Sequence, residues 1–236
     1  MPLSDADVQA VLKQLVDPNT GKDYLSSRSV RNVKVSGNDV SLDVELGYPG
    51  RSQHEPIRQE MVRALKGAGA GSVAVKVSSK VVSHAVQRGV KLIPGIKNII
   101  AVASGKGGVG KSTVATNIAA ALANLGATVG LLDADIYGPS IPPMLGTRDK
   151  PEIAGQKLIP LKRHGLKLMS IGFIVDPKEA MTWRGPMLNG ALIQFMRDVE
   201  WGDLDYMVLD LPPGTGDVQL TIAQNLKVSG AVLVST

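Results

Sequence analysis

The chain contains no cysteine among its 236 residues. A disulfide scaffold is therefore excluded, and so is any metal or cluster held by thiolates of this chain. Aromatic residues make up only 3%, so apolar burial must rest on Val, Ile, Leu, Ala and Met. No uncharged apolar run reaches the roughly 18 residues that a membrane-spanning helix needs. The first residues, Met1-Pro2-Leu3-Ser4-Asp5-Ala6-Asp7, are polar and acidic rather than a basic segment followed by an apolar one. They do not read as a secretory signal, and the cytoplasm is the expected compartment. Net charge is +5, but Lys and Arg are scattered and form no polybasic run. Neither a nucleic acid nor a membrane partner is expected on that pattern.

Hydrophobic residues at 44% and charged residues at 20% fit an ordinary globular protein. The 26 glycines point to many turns and to backbone that approaches something closely.

Residues 1–77 read as a small α+β domain. Val8, Val11, Leu12 and Leu15 recur at helical spacing over Asp5 to Val16, and Asp17-Pro18 stops the run. Val30 to Val35 alternates with Arg31, Asn32 and Lys34. After Ser36-Gly37-Asn38-Asp39 the run Val40 to Leu46 alternates again, so a hairpin with one buried face is expected. A helix over about 55–65 and a strand over 73–77 complete the unit. Residues 78–97 read as a linker, with a short helix fitting around 82–88.

Residues 98–236 read as an α/β domain. Continuous apolar strands, Asn98 to Ala103, Thr128 to Leu132 and Tyr206 to Leu209, alternate with helices over 111–124 and about 187–199. This pattern implies a parallel sheet with helices on both faces.

The chemistry lies where the first of these strands meets its helix. Gly105-Lys106-Gly107-Gly108-Val109-Gly110-Lys111-Ser112 matches G-x-x-x-x-G-K-[ST], in the strand–loop–helix setting that gives the motif its meaning. Glycines let successive backbone N–H groups turn inward onto phosphate oxygens. The helix start adds its free amides and positive dipole end. Lys111 is a mobile cation for the β- and γ-phosphates. Ser112 offers a hydroxyl to Mg²⁺, and Thr113 can bond the α-phosphate. The expected ligands are ATP and magnesium.

Asp210 ends an apolar strand, where a carboxylate can hold Mg²⁺ through water. Asp133 and Asp135 also follow an apolar strand. A carboxylate there holds either the attacking water or the metal shell. Asp135 is assigned to the water and Asp133 to the metal or to a network with Lys106, the plainer alternative for one of them being a cap on Tyr137-Gly138. His54, His84 and His164 have no ligand spacing and read as surface or hydrogen-bonded histidines.

Lys106 sits inside the loop, giving Lys-Gly-Gly-Val-Gly-Lys-Ser-Thr. This resembles the deviant Walker A of the MinD/ParA-type ATPases. The resemblance implies that Lys106 is catalytic, reaching across a homodimer to the partner's phosphates; a solvated loop lysine is the alternative. Leu131 to Pro142, Met169-Ser170-Ile171-Gly172-Phe173, Trp183-Arg184-Gly185-Pro186-Met187, Trp201 to Tyr206 and Asp210-Leu211-Pro212-Pro213-Gly214-Thr215-Gly216-Asp217 narrow it. Together they resemble the Mrp-type iron–sulfur cluster carriers, whose small N-terminal assembly domain residues 1–77 resemble in turn.

That resemblance implies slow ATP hydrolysis and transfer of clusters to apoprotein acceptors by an ATP-linked homodimer. A MinD/ParA-like positioning ATPase or a nucleotide-dependent scaffold is the alternative. It also implies a Cys-x-x-Cys beyond Thr236, so the chain is expected to be a fragment without iron–sulfur ligands. Its small domain has Tyr48-Pro49-Gly50-Arg51 where related domains often carry a cysteine. The last strand, Ala231 to Val234, is expected to leave either Val232 and Val234 or Leu233 uncovered.

Overall fold

In a computed structural model the described residues are 3–84, 93–135, 138–147, 149–174, 185–214, 219, 224 and 226–236. The chain divides into two compact units, Met1–Val82 and Ser83–Thr236. Among the described residues no helix is long and apolar enough to cross a membrane.

The first unit sets helices α1 (Asp5–Gln14) and α2 (His54–Gly67) against a sheet of strands β1 (Val30–Ser36), β2 (Asp39–Leu46) and β3 (Ser72–Ser79). Ser4 starts α1 through a capping box: its hydroxyl accepts from the Asp7 amide, and the Asp7 carboxylate accepts from the Ser4 amide. The period of two on β2 buries Val40, Leu42, Val44 and Leu46 on one face. The helical period on α2 buries Ile57, Met61 and Leu65 against them. β1 pairs antiparallel with β2, whereas β3 pairs with β2 in parallel, with α2 as the intervening crossover. The expected alternation of β1 breaks at Asn32. There the register shifts, and Asn32 takes φ 53, a conformation that Asn tolerates better than most residues. Its side chain donates to Asp43 at 2.7 Å.

The second unit is built on a six-stranded sheet. Its strands in chain order are β4 (Ile96–Ser104), β5 (Val129–Asp133), β8 (Leu161–Arg163), β9 (Leu166–Ser170), β10 (Leu204–Asp210) and β11 (Gly230–Val234); in space they run β11-β4-β10-β5-β9-β8. All neighbours are parallel except β8 and β9, which form an antiparallel hairpin at one edge. A separate ribbon pairs β6 (Glu152–Ala154) with β7 (Lys157–Ile159). Helices α3 (Lys111–Asn124), α4 (Ile141–Met144) and α5 (Gly185–Asp198) accompany the sheet.

Strand β5 is buried along its whole length, as a strand covered on both faces must be. Helix α3 packs on β4, β5 and β10, turning Ala115 and Ala119 inward. Their small side chains let the helix axis come close to the sheet. β10 lies between β4 and β5 although it is the latest of the three in sequence. Its register puts Asp210 opposite Val102 on one side and Asp133 on the other, and Asp133 lies opposite Ser170 of β9. The carboxyl ends of three neighbouring strands thus present Asp210, Asp133 and Ser170 in a row.

At the other sheet edge Val232 and Val234 pack on the core while Leu233 is 80% exposed. Of the two faces considered for this strand, the one carrying Leu233 is uncovered. Residues 82–84 have no regular secondary structure, and the remainder of the short helix expected up to 88 lies outside the described residues.

Candidate nucleotide site

The loop from Gly105 to Gly110 leaves β4 and enters α3 through two left-handed glycines, Gly108 at φ 79 and Gly110 at φ 88. Side-chain-bearing residues rarely hold these angles. A Cβ at Gly105, Gly107, Gly108 or Gly110 would meet nothing within 4 Å. The glycines therefore serve backbone curvature and the open space in front of the loop rather than tight packing. Ser104 braces the loop from beneath: its hydroxyl donates to the Lys106 carbonyl at 2.9 Å, and its own carbonyl accepts from the Gly214 amide at 2.8 Å.

In front of the loop lies a cleft of about 360 Å³. Lys106, Gly107, Gly108, Gly110, Lys111, Ser112, Thr113 and Asp135 line it. Residues given no binding role from the sequence also line it, among them Gly138, Ser140, Met144 and Pro213. Gly138-Pro139-Ser140 and Pro212-Pro213-Gly214 are loop-type stretches that carry a signal; Met144 carries none.

Lys111 is the first residue of α3 and is buried. Its Nζ lies 2.5 Å from Asp210 Oδ1, 3.2 Å from Ser112 Oγ and 3.9 Å from Asp135 Oδ2. Asp210 is fully buried, and among the described residues its Oδ2 has no hydrogen-bond partner. A buried carboxylate oxygen without a partner is costly and marks a place for an added donor or cation. Among the described residues no three His, Cys, Asp or Glu side chains gather to form a metal cage. The donor set fits a magnesium ion that keeps water and shares phosphate oxygens, with Ser112 and Asp210 beside it.

Asp135 turns into the cleft and accepts from the Gly138 amide at 3.2 Å. Asp133 does not line the cleft. It is fully buried and accepts from the Asp135 amide at 3.1 Å, the Ile141 amide at 3.3 Å and the Ser170 hydroxyl at 3.1 Å. Burial, followed by the charge of Asp210, pushes its carboxyl up to about 7; the three hydrogen bonds oppose that rise. Lys106 is exposed, and its side chain makes no hydrogen bond or ion pair among the described residues. Val109 is half-buried within the loop.

The histidines are scattered. His54 Nε2 lies 2.9 Å from Ser79 Oγ in the first unit, while His84 donates its amide to Asn98 and His164 sits in the β8–β9 turn at φ 49. Trp183, Arg184 and residues 215–217 lie outside the described residues.

The family described as the NUBPL iron-transfer P-loop NTPases matches residues 95–236. The chain belongs to that family. A second family, described as iron-sulfur cluster assembly proteins, matches residues 5–78. This NUBPL-type chain is 44% identical to the iron-sulfur cluster carrier protein of Synechocystis sp., over 97% of its own length and 67% of that protein's. It is 42% identical to the Haemophilus influenzae carrier over 97% of this chain and 63% of the relative. With the Escherichia coli K12 carrier the identity is 49% over 84% of this chain and 55% of the relative. The chain thus spans between about half and two thirds of the length of these relatives. Among solved structures, a nucleotide-binding protein in complex with ADP from Archaeoglobus fulgidus matches with a TM-score of 0.53 and 45% identity, over 61% of this chain and 56% of that one. The P-loop α/β fold read from the sequence is that of the family.

Proposed function

We propose that this chain binds ATP with Mg²⁺, hydrolyses it slowly, and forms the nucleotide-handling part of a cytoplasmic iron–sulfur cluster carrier. In this reading the carrier works as an ATP-linked homodimer and passes clusters to apoproteins. The observation that carries the proposal is the position of Lys111, with its Nζ between Asp210 at 2.5 Å and Asp135 at 3.9 Å beneath a glycine-lined cleft. The ADP complex of the Archaeoglobus fulgidus relative and the carrier names of the bacterial relatives support it.

Each residue then has a distinct task. The amides of Gly107, Gly108 and Gly110 cradle the phosphates, and Thr113 bonds the α-phosphate. Lys111 exchanges its carboxylate partner for β- and γ-phosphate oxygens. Ser112 and Asp210 hold magnesium, which neutralises charge on the phosphates when bound. Asp135 orients a water whose oxygen attacks the γ-phosphorus; the bond to the β–γ bridging oxygen breaks, and ADP leaves with that electron pair. Lys106, whose exposed side chain has no partner among the described residues, extends to the phosphates of the second subunit. The cluster is cargo. With no cysteine in these 236 residues, its thiolate ligands come from outside them.

Titration with ATP and Mg²⁺, followed by phosphate release and sedimentation, tests the nucleotide part. Anaerobic iron and sulfide reconstitution, on this chain and on a protein of its relatives' length, tests the carrier part. Stoichiometric cluster is expected on the longer protein only. Stable cluster on this chain would overturn the assignment of its ligands. Nucleotide-dependent binding to DNA or vesicles, with cluster on neither, would favour a positioning ATPase instead.

A further inference from the structure

The carboxylate of Asp133 holds two backbone amides that lie six residues apart in the chain. Its Oδ1 accepts from the amide of Asp135 at 3.1 Å, and its Oδ2 accepts from the amide of Ile141, where α4 begins, at 3.3 Å. The segment between them carries Gly138 and Ser140, both on the cleft. The same Oδ2 also accepts from the hydroxyl of Ser170, the fully buried last residue of β9, at 3.1 Å. Ser170 is in turn fixed, because its Oγ accepts from the Gly172 amide at 3.1 Å. Gly172 supplies a second contact to the same segment. A Cβ there would lie 2.6 Å from Pro139 Cγ, so only glycine lets Pro139 rest against this turn.

A carboxylate occupied by three donors and enclosed by protein is arranged to hold backbone rather than to reach a ligand. Of the three donors, Ser170 alone belongs to a separate strand. From β9 it fixes the side chain of Asp133 at the end of β5, and so sets where the two amides held by that carboxylate, and Asp135 with them, stand relative to Lys111.

We infer that Ser170 is a positioning residue for nucleotide hydrolysis, acting through Asp133 to hold the amides of Asp135 and Ile141 with Asp135 turned into the cleft. The inference rests on the hydrolytic reading above. It reassigns Asp133 from the metal to these two amides, and it gives Gly172 the role of a seat for Pro139.

The test uses Ser170→Ala, Ser170→Thr and Gly172→Ala in the intact chain. It measures kcat, the KM for ATP, affinity for ADP, and hydrogen exchange at the amides of Asp135 and Ile141. Ser170→Ala is expected to speed exchange at both amides roughly 5-fold. It should lower kcat about 10-fold while KM and ADP affinity stay within about 2-fold. Ser170→Thr, which keeps the hydroxyl, should restore exchange and kcat together. Gly172→Ala should lower kcat in the same way without touching the hydroxyl. A serine that merely caps the turn after β9 would change stability and leave exchange at Asp135 and kcat at wild-type values; that result overturns the inference, as does a loss that threonine fails to rescue. A wild-type chain that binds ATP without turnover would remove the hydrolytic role, and one that binds no nucleotide would overturn the reading above. In either case the exchange measurements still decide whether Ser170 holds these amides.

Discussion

Lys111 Nζ lies 2.5 Å from Asp210 Oδ1, joining the first residue of α3 to the last residue of β10. The two residues are buried together in the middle of the sheet's carboxyl edge. An enclosed pair of this kind is sensitive to loss of one member, because the survivor is left charged and without compensation.

Replacing Lys111 with Ala should therefore act twice. Nucleotide affinity should fall by at least about 10-fold, since a charge-assisted contact to phosphate is lost. Stability of the second unit should fall by roughly 3 kcal/mol. Adding Asp210→Ala to the first change should recover part of that loss, with a coupling between the two sites of about 1 to 3 kcal/mol. Urea titrations of the two single variants and the double variant measure the cycle. Strict additivity would mean that the contact contributes nothing.

Lys106 is expected to behave in the opposite manner. Its side chain is exposed and unengaged among the described residues, although its carbonyl accepts from Ser104. Lys106→Ala should leave stability within about 0.5 kcal/mol of wild type. Turnover should fall at least roughly 100-fold, in the manner of a removed finger residue, and ATP-dependent dimers should disappear in sedimentation. Wild-type turnover and dimers would make it an ordinary solvated lysine.

In the first unit, the Tyr48 hydroxyl donates to Asp17 Oδ1 at 2.8 Å and accepts from Asn19 Nδ2 at 3.1 Å. Asp17 is almost fully buried. Burial, reinforced by Asp17, pushes the Tyr48 phenol up to about 12. Tyr48→Phe should cost about 1 to 2 kcal/mol, because it takes a donor from a buried carboxylate. It should also remove one late-titrating tyrosine from the alkaline absorbance curve. An unchanged denaturation midpoint would show that water replaces the phenol without loss.

Local patterning accounts for much of this architecture. Helix α3 runs from Lys111 to Asn124 as expected, because left-handed Gly110 starts it and Gly126, at φ 97, stops it. The alternation on β2 is legible because one face is wet. The strands β6 to β9 are not. Three of them are only three residues long, too short for a period to register. The insertion of β10 between β4 and β5 has no local signature either, since strand order follows from long-range packing. The glycine loop and the helix start that follows it are legible because they are contiguous in the chain. The contacts of Lys111 with Asp210 and of Asp133 with Ser170 are not, being 99 and 37 residues apart in the chain. Ser170 lies inside a stretch that carries family likeness, with nothing local to mark its hydroxyl.

The raised carboxyl of Asp133 gives a pH dependence whose sign can be worked out. In the folded chain this group titrates near pH 7, pushed up by burial and then by Asp210; unfolded, it returns to about 4. Between those values the folded state keeps a proton that the unfolded state has released. The contribution is therefore fully present below about pH 4, declines as pH rises, and is gone above about pH 7. Its slope cannot exceed about 1.4 kcal/mol per pH unit for a single proton. Asp133→Asn, which does not titrate, should flatten the pH dependence between about 4.5 and 7 relative to wild type. Urea midpoints measured across that range on both proteins give the difference, and parallel curves would mean that Asp133 is ionised in both states. Ser170→Ala should move the curve the other way. Its hydroxyl is one of the three donors that hold the carboxyl down, so its loss should carry the titration above pH 7 and extend the declining limb to higher pH.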